Sequence, residues 1–431
     1  MINSIFGFAW NTFLFLLPYA ITIILGFIAW RLWVHYIRQS FIAGIEWVLL
    51  EIVPPRDVLR SPKGMELFMA NALYHWSIKG GLEEYWQGAV WFWFSLEIAS
   101  IDGQVHFYIR TPSRIKGLIE TQMYAQYPQA QIKVVEDYTL GVDEISPKSA
   151  WNGWGCEFKL EKNQVFPIKT YIDFGLDKDP KEEYKVDPIS SVIELFGSIK
   201  KEEQMWMQIV VTPSKTQYRS KNGGHHDWVA EGEEQIIKKL EPFTGSRARA
   251  PGDIVGGFAR EVRAPGFMDE MIKASGRKLM KLGFDTGVRV FYTAKKEAFD
   301  MSNRRNLRLI FRQYSNPFSN SFYRINSTQA DAYSGYWPIS SKTIMLLSNR
   351  MLNEYRERAF FHLPLRHTIF STHYVFWPFS LLFHAYHHPV NFVLNVEELA
   401  TIWHFPGQIL KVPTLERIES KEAAPPTNLP S

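Results

Sequence analysis

The sequence predicts an α+β protein held in a membrane by one N-terminal helix. Three observations carry this: an uncharged apolar run from Met1 to Trp30, a recurring order of strand, strand, helix and strand after it, and turn signals between those elements. The segment Phe13 to Trp30 (FLFLLPYAITIILGFIAW) reaches about 20 apolar residues with its flanks, enough for a hydrocarbon layer of roughly 30 Å. Phe13, Leu17, Ile21, Leu25 and Trp30 mark the span. Trp10, Tyr19, Trp30, Trp33 and Tyr36 place aromatics at both ends, and Arg31, His35 and Arg38 follow, which keeps the C-terminal side inside. A cleaved signal would need a basic start and a small-residue cleavage site, and this segment has its positive charge on the other side. Pro18 kinks such a helix without preventing it. The expectation is a single-pass protein of the cytoplasmic (inner) membrane with its C-terminal bulk in the cytoplasm; a hydrophobic helix buried in a protein partner is the competing reading.

At 431 residues the chain exceeds one ordinary hydrophobic core, so the part after the anchor should divide into two or three domains. Aromatics make up 15% of the residues, which excludes a disordered chain. The single cysteine, Cys156, excludes a disulfide framework and any cysteine-built metal site. Net charge is only +4 from 48 basic and 44 acidic residues, too balanced for nucleic-acid binding by bulk electrostatics.

Phe41 to Val53 is apolar and β-rich, and Ser61-Pro62 opens a helix through about Tyr74. Val90 to Ala99 and Gln104 to Arg110 read as strands around Asp102-Gly103, a strong hairpin signal. Arg114 to Gln126 is a helix stopped by Tyr127-Pro128, before a strand at Gln131 to Glu136. A related order recurs: strands Cys156 to Leu160 and Ile168 to Phe174, a helix capped by Asp187-Pro188, and the strand Met205 to Thr212. Repeated β-β-α-β suggests ferredoxin-like units, an antiparallel sheet with helices on one face. Residues 1–40 are then anchor and juxtamembrane helix, 41–145 and 146–213 two α+β units, and 214–266 a flexible, Gly- and charge-rich insertion. Residues 267–410 form a third α+β region carrying Met268 to Leu282, Val288 to Ala294 and Glu297 to Tyr314, and 411–431 a Pro-rich linker. Within the third region, Thr368 to Phe383 is too short and polar to read as a span. It fits a buried or interfacial aromatic segment, with lipid contact as the alternative.

Motifs for chemistry are missing. No Gly-x-x-x-x-Gly-Lys-Ser/Thr, Gly-x-Ser-x-Gly, His-Glu-x-x-His or Gly-x-Gly-x-x-Gly occurs, so no enzyme class is expected and no cofactor. Histidines cluster between His362 and His404; His384 and His388 have a ligand-like spacing, but Pro389 follows at once, and packed histidines of an aromatic layer account for them more simply than a metal site. Arg304, Arg308 and Arg312, four apart, would share one helix face and could contact DNA or lipid phosphates, although most such stripes are solvated.

Several stretches resemble the membrane-anchored N-terminal region, a domain of unknown function, of type IV secretion and conjugative DNA-transfer ATPases of the FtsK/HerA kind. They are FYIRTPSRIKGLIETQMYAQYPQAQI (Phe107 to Ile132), PIKTY (Pro167 to Tyr171), NFVLNVEELATIWHFPG (Asn391 to Gly407) and TLERIESKEAAPPTNLP (Thr414 to Pro430). In that family such a region precedes the motor, and the chain here stops at Ser431, where the motor would begin. The resemblance therefore implies a non-catalytic assembly or docking subunit, a homo-oligomer at the lipid bilayer, working with other secretion subunits and either with a P-loop ATPase on a separate chain or as a truncated product of such an ATPase. The alternatives are a membrane-tethered DNA-binding protein using the arginine stripe and a metal-dependent enzyme using the histidines.

Overall fold

A computed structural model describes residues 2–55, 61–74, 80–177, 186–214, 218–219, 225–226, 228–244, 266–328, 341–362 and 390–407. The chain separates into two units, residues 1–46 with 76–92, and residues 47–75 with 93–431.

In the first unit, α1 runs from Ile2 to Ala43. Its 42 residues make it about 60 Å long at roughly 1.5 Å per residue, twice a hydrocarbon layer. Leu14–Ala43 is long and apolar enough to cross a membrane by length and composition, and its apolar window is not buried against protein. Pro18 sits inside the helix, where Thr22 Oγ1 donates to the Pro18 carbonyl at 2.8 Å. This is a hydroxyl back-bond to the carbonyl four residues earlier, and the carbonyl that proline's missing N–H leaves open is that of Leu14. Phe41 ends in this helix, so the first strand starts only at Trp47, later than the β-rich composition suggests.

The second unit is built on one antiparallel sheet of nine strands. In chain order its elements are β1 (Trp47–Val53), α2 (Lys63–Ala72), then, beyond α3 (Gly81–Tyr85) of the first unit, β2 (Phe94–Ile101), β3 (Gln104–Pro112), α4 (Lys116–Gln126), β4 (Gln131–Val135), β5 (Trp151–Leu160), α5 (Pro188–Gly197) and β6 (Glu203–Pro213). There follow a two-strand ribbon, β7 (Tyr218–Arg219) and β8 (His225–His226), then α6 (Trp228–Thr244), α7 (Gly266–Leu279), β9 (Gly283–Lys295), α8 (Met301–Leu307), β10 (Phe322–Ile325), α9 (Ser341–Glu357), β11 (Phe392–Asn395) and α10 (Val396–Ile402).

The strand order is β10-β5-β9-β6-β2-β3-β1-β4, with β11 on β9 beyond the end of β5. Numbered within each half, it reads fourth, first, third, second for β4-β1-β3-β2 and the same for β10-β5-β9-β6. The two second strands, β2 and β6, pair over Phe94–Ile101 and join the halves. Segments expected as three separate units, 41–145, 146–213 and 267–410, therefore share one sheet. Within residues 41–145, β1 is inserted between β3 and β4.

Local signals hold where a few residues decide the outcome. Asp102 and Gly103 both have positive φ, 53° and 85°, and close the β2–β3 hairpin as an Asp-Gly turn should. Asp187 caps α5 by accepting from Ile189 N at 3.1 Å, with Pro188 in the first turn. Long-range contacts override them elsewhere. Ile168 to Phe174 is not a strand, because Ile168 N and Tyr171 N donate to Glu398 and Thr401 side chains and not to a neighbouring strand. The insertion expected over 214–266 contains α6, whose Trp228 is buried and whose Gly232 lies against Leu279 of α7.

Helices cover both faces of the sheet, not one. Phe107 of β3 meets Trp403 and Phe405, next to α10, which packs with α2 and α5. On the opposite face Trp206 of β6 meets Phe291 and Tyr355, under α9. Alternation along each strand separates these two layers.

Candidate functional site

The expected arginine stripe is broken by the fold. Asp300 caps α8 by accepting from Ser302 N at 2.7 Å, and the helix ends at Leu307, so it holds Arg304 but not Arg312. Leu307, Ile310, Phe311 and Tyr314 are all buried, and their spacing draws the chain into tight turns in which Arg312 N donates to Leu309 O and Tyr314 N to Phe311 O. Three-residue turns cannot keep a four-residue stripe on one side. Arg308 follows the helix half-buried, and Arg312 lies exposed on a 3-10 turn. His384 and His388 lie outside the described residues, as do the aromatic stretch 368–383 and the linker 411–431. Among the described residues no group of three or more His, Cys, Asp or Glu side chains could hold a metal. Cys156 is fully buried, and burial pushes its thiol well above the ordinary range, so it is a packed apolar residue and a poor nucleophile. Of the span residues, Ile21, Leu25 and Trp30 are exposed along α1, Leu17 is half-exposed, and Phe13 falls within the helix.

What the fold does assemble is a polar row across the α9 face. Cross-strand register places Glu157, Arg289, Gln208, Glu97, Tyr108, Glu51 and Lys133 side by side on seven strands. The first four are completely buried. Burial of such groups is offset by pairing, and here most of their donors and acceptors find a partner. Glu97 is the hub: Arg358 Nε and Nη2 grip its two oxygens at 2.9 and 3.0 Å, and Gln208 Nε2 and Tyr138 Oη donate at 3.0 and 2.8 Å. The Ser95 hydroxyl donates as well. Because Tyr138 spends its one proton on Glu97, Tyr355 is the donor in the 2.9 Å contact between the two hydroxyls. Arg358 also holds Asp137 through Nη1 and Nη2.

This row receives the end of α9. The last carbonyls of a helix lack internal partners, and here the sheet provides them. Arg289 Nη1 donates to Glu354 O at 2.7 Å, Gln208 Nε2 to Tyr355 O at 3.0 Å, and Arg358 Nη1 to Arg356 O at 2.8 Å. Arg289 is itself held by Glu157 at 2.8 Å and lies over the Phe360 ring. Arg358 has φ +51°, a left-handed position that normally favours glycine. Ala359 N to Glu354 O and Arg358 N to Tyr355 O complete the helix-ending pattern.

A second cluster, on the α10 side, brings PIKTY against NVEELA. Asn395 and Glu398 form a reciprocal capping box at the start of α10. Glu398 also accepts from Ile168 N at 3.0 Å and pairs with Lys278 at 2.8 Å, both side chains buried. Burial pushes Lys278 down and Glu398 up, and their mutual attraction opposes both shifts. Glu397 accepts from Thr170 at 2.6 Å and from Lys281 at 2.9 Å, and Lys281 continues to Glu66 at 2.7 Å, where Tyr171 Oη also donates. His404 meets Asp187 at 3.0 Å. In both clusters each acid faces a base or several donors, which is the chemistry of a joint between elements and not of a group poised to react.

Asp137 and Asp187 make both joints sensitive to acid. Burial raises each, but Arg358 and Thr139 hold Asp137 below its ordinary value, and His404 with the α5 cap does the same for Asp187. A depressed folded-state value gives stability that is complete above the unfolded value, near 3.9, and is lost as pH falls through the folded one. The share of thermal stability that these two carboxylates supply should therefore be constant between about pH 7 and 5 and be lost below about pH 4. Asp187→Asn, which retains a capping side chain, should reduce that loss, and differential scanning calorimetry across the range measures it.

None of Glu97, Asp137, Glu157, Arg289, Lys278 and Arg358 belongs to a motif. The available signal was a lone charge inside an apolar strand, as in FSLEIASI and GVRVFYTA.

The fold defines a mixed α+β protein with one large antiparallel sheet and one N-terminal helix long and apolar enough to span a membrane. Residues 92–360 match the family described as Domain of unknown function (DUF8128), and the chain belongs to that family. The match opens just before β2 and closes just after Arg358, so it holds the whole Glu97–Arg358 network, whereas β1 and α10 lie outside it. No curated protein matches the chain.

Proposed function

We propose that the protein is a non-catalytic, membrane-anchored assembly subunit that docks a P-loop motor, carried on a separate chain, in a type IV secretion-like or conjugative DNA-transfer machine. The observation that carries this reading is α1, with apolar side chains exposed from Leu14 to Tyr36 and no charge before Arg31, in a chain whose buried charges are spent on holding helices to a sheet. The sequence stretches from Phe107 to Ile132 and Asn391 to Gly407 support the secretion assignment by resemblance. In this reading the anchor lies in the cytoplasmic (inner) membrane, the bulk faces the cytoplasm, and copies associate side by side. We read each half of the sheet as a ferredoxin-like unit; the recurrence of the fourth-first-third-second order supports it.

The test is affinity purification of the full chain in mild detergent from cells that express the neighbouring ATPase genes. A P-loop ATPase should co-purify and be lost when residues 2–43 are deleted, with the truncated chain moving to the soluble fraction. Failure to recover any neighbouring ATPase would sink the docking role, and a truncated chain that stays in washed membranes would sink the anchor.

A further inference from the structure

Within the first unit, α3 carries large apolar side chains that stay exposed: Leu82 is 74% exposed, Trp86, just after the helix, 62%, and Tyr85 46%. None of its five residues is buried. Three such side chains on one turn and a half of helix are costly to leave in water. They adjoin the C-terminal part of α1, where Trp30 stacks on Tyr85 with centroids 6.4 Å apart and Trp33 meets Trp86 edge-on at 6.4 Å. Two further contacts seat the segment. Arg38 pairs with Glu84 at 3.0 Å, and Gly88, at φ +70°, lies so close that a Cβ there would sit 2.4 Å from the Ile37 main chain.

The depth of this cluster follows from α1 itself. Trp10 and Trp30, both exposed, are 20 residues apart, or about 30 Å at roughly 1.5 Å per residue, the thickness of a hydrocarbon layer. Trp30 therefore marks the second interface, with Arg31 and Arg38 beyond it, and whatever stacks on Trp30 and Trp33 lies at the same level. Indole and phenol rings are the side chains that favour this level, with an apolar body for the acyl boundary and a polar tip for water.

We propose that residues 80–89 form a second membrane contact, an interfacial element in which Leu82, Tyr85 and Trp86 enter the headgroup region beside α1 and fix the depth and tilt of the anchor. The occupant is lipid, because the exposed face of α3 is continuous with that of α1. This rests on α1 lying in a bilayer, the anchor half of the function proposed above, and the experiment reports on the two separately.

Spin labels are attached through Leu25→Cys, Leu82→Cys, Trp86→Cys and Leu140→Cys, one at a time, in the full chain reconstituted into phosphatidylcholine and phosphatidylglycerol vesicles. Buried Cys156 serves as the unlabelled background. Collisions with oxygen, which prefers lipid, are compared with collisions with a water-soluble nickel chelate. The label at 25 should favour oxygen most strongly. The labels at 82 and 86 should favour oxygen several-fold more than the label at 140, an exposed position on the other unit. Labels at 82 and 86 as accessible to nickel as the one at 140, with the label at 25 in lipid, would overturn the interfacial element alone. A label at 25 in water would overturn the anchor and with it this inference.

Discussion

Arg358→Met should cost about 3–5 kcal/mol of stability, enough to unfold a sheet of ordinary marginal stability, because it leaves the fully buried Glu97, and the half-buried Asp137 beside it, without their cation. The same change removes the donor to the Arg356 carbonyl at the end of α9. Arg358→Gly separates charge from backbone. It relieves the left-handed strain, worth roughly 1 kcal/mol, yet leaves the two carboxylates unpaired, so it should remain strongly destabilised. Urea unfolding in detergent, followed by tryptophan fluorescence, measures both variants. Equal stability of Arg358→Gly and the parent would mean that the network is not what holds α9 to the sheet.

Lys278→Met tests the other joint. Alone it strands Glu398 without a counter-ion, at a cost of about 3–5 kcal/mol. Adding Glu398→Gln should restore part of that loss: the neutral amide needs no counter-ion, but its one oxygen can accept from only one of Ile168 N and Asn395 N, which the two carboxylate oxygens now serve. The double variant should be more stable than Lys278→Met in the same urea titration, because no uncompensated buried charge is left. A double variant as unstable as Lys278→Met would show that the pair is not an independent unit and that α10 depends on charge at position 398.

The two joints differ in how far a linear reading could reach them. PIKTY and NVEELA stood out only by resemblance to a family, and the capping box that starts α10 at Asn395 came from the structure. That the two segments meet was not readable, since Ile168 N and Glu398 are 230 residues apart. Ile168 to Phe174 even looked like a strand, because β-rich composition is the same whether the backbone bonds to a strand or to a helix's side chains. The arginine stripe failed for a related reason. Its spacing of four presumes an unbroken helix, and burial of Leu307, Ile310, Phe311 and Tyr314 ended the helix before Arg312.

The sequence by itself determined the apolar helix α1, the Asp102-Gly103 hairpin, the Asp187 cap and the alternation of strands with helices. Each depends on residues within a turn or two, where length, φ preference and hydrogen-bond reach are local quantities. Only the tertiary structure decided that β2 pairs with β6 to make one sheet from segments that read as separate units, and that Arg358 comes down on Glu97 across 261 residues of chain. A strand edge states what it can bond to but not which edge it will find, and a lone buried charge declares a need for a partner without naming it. Those choices are made by packing the whole chain at once.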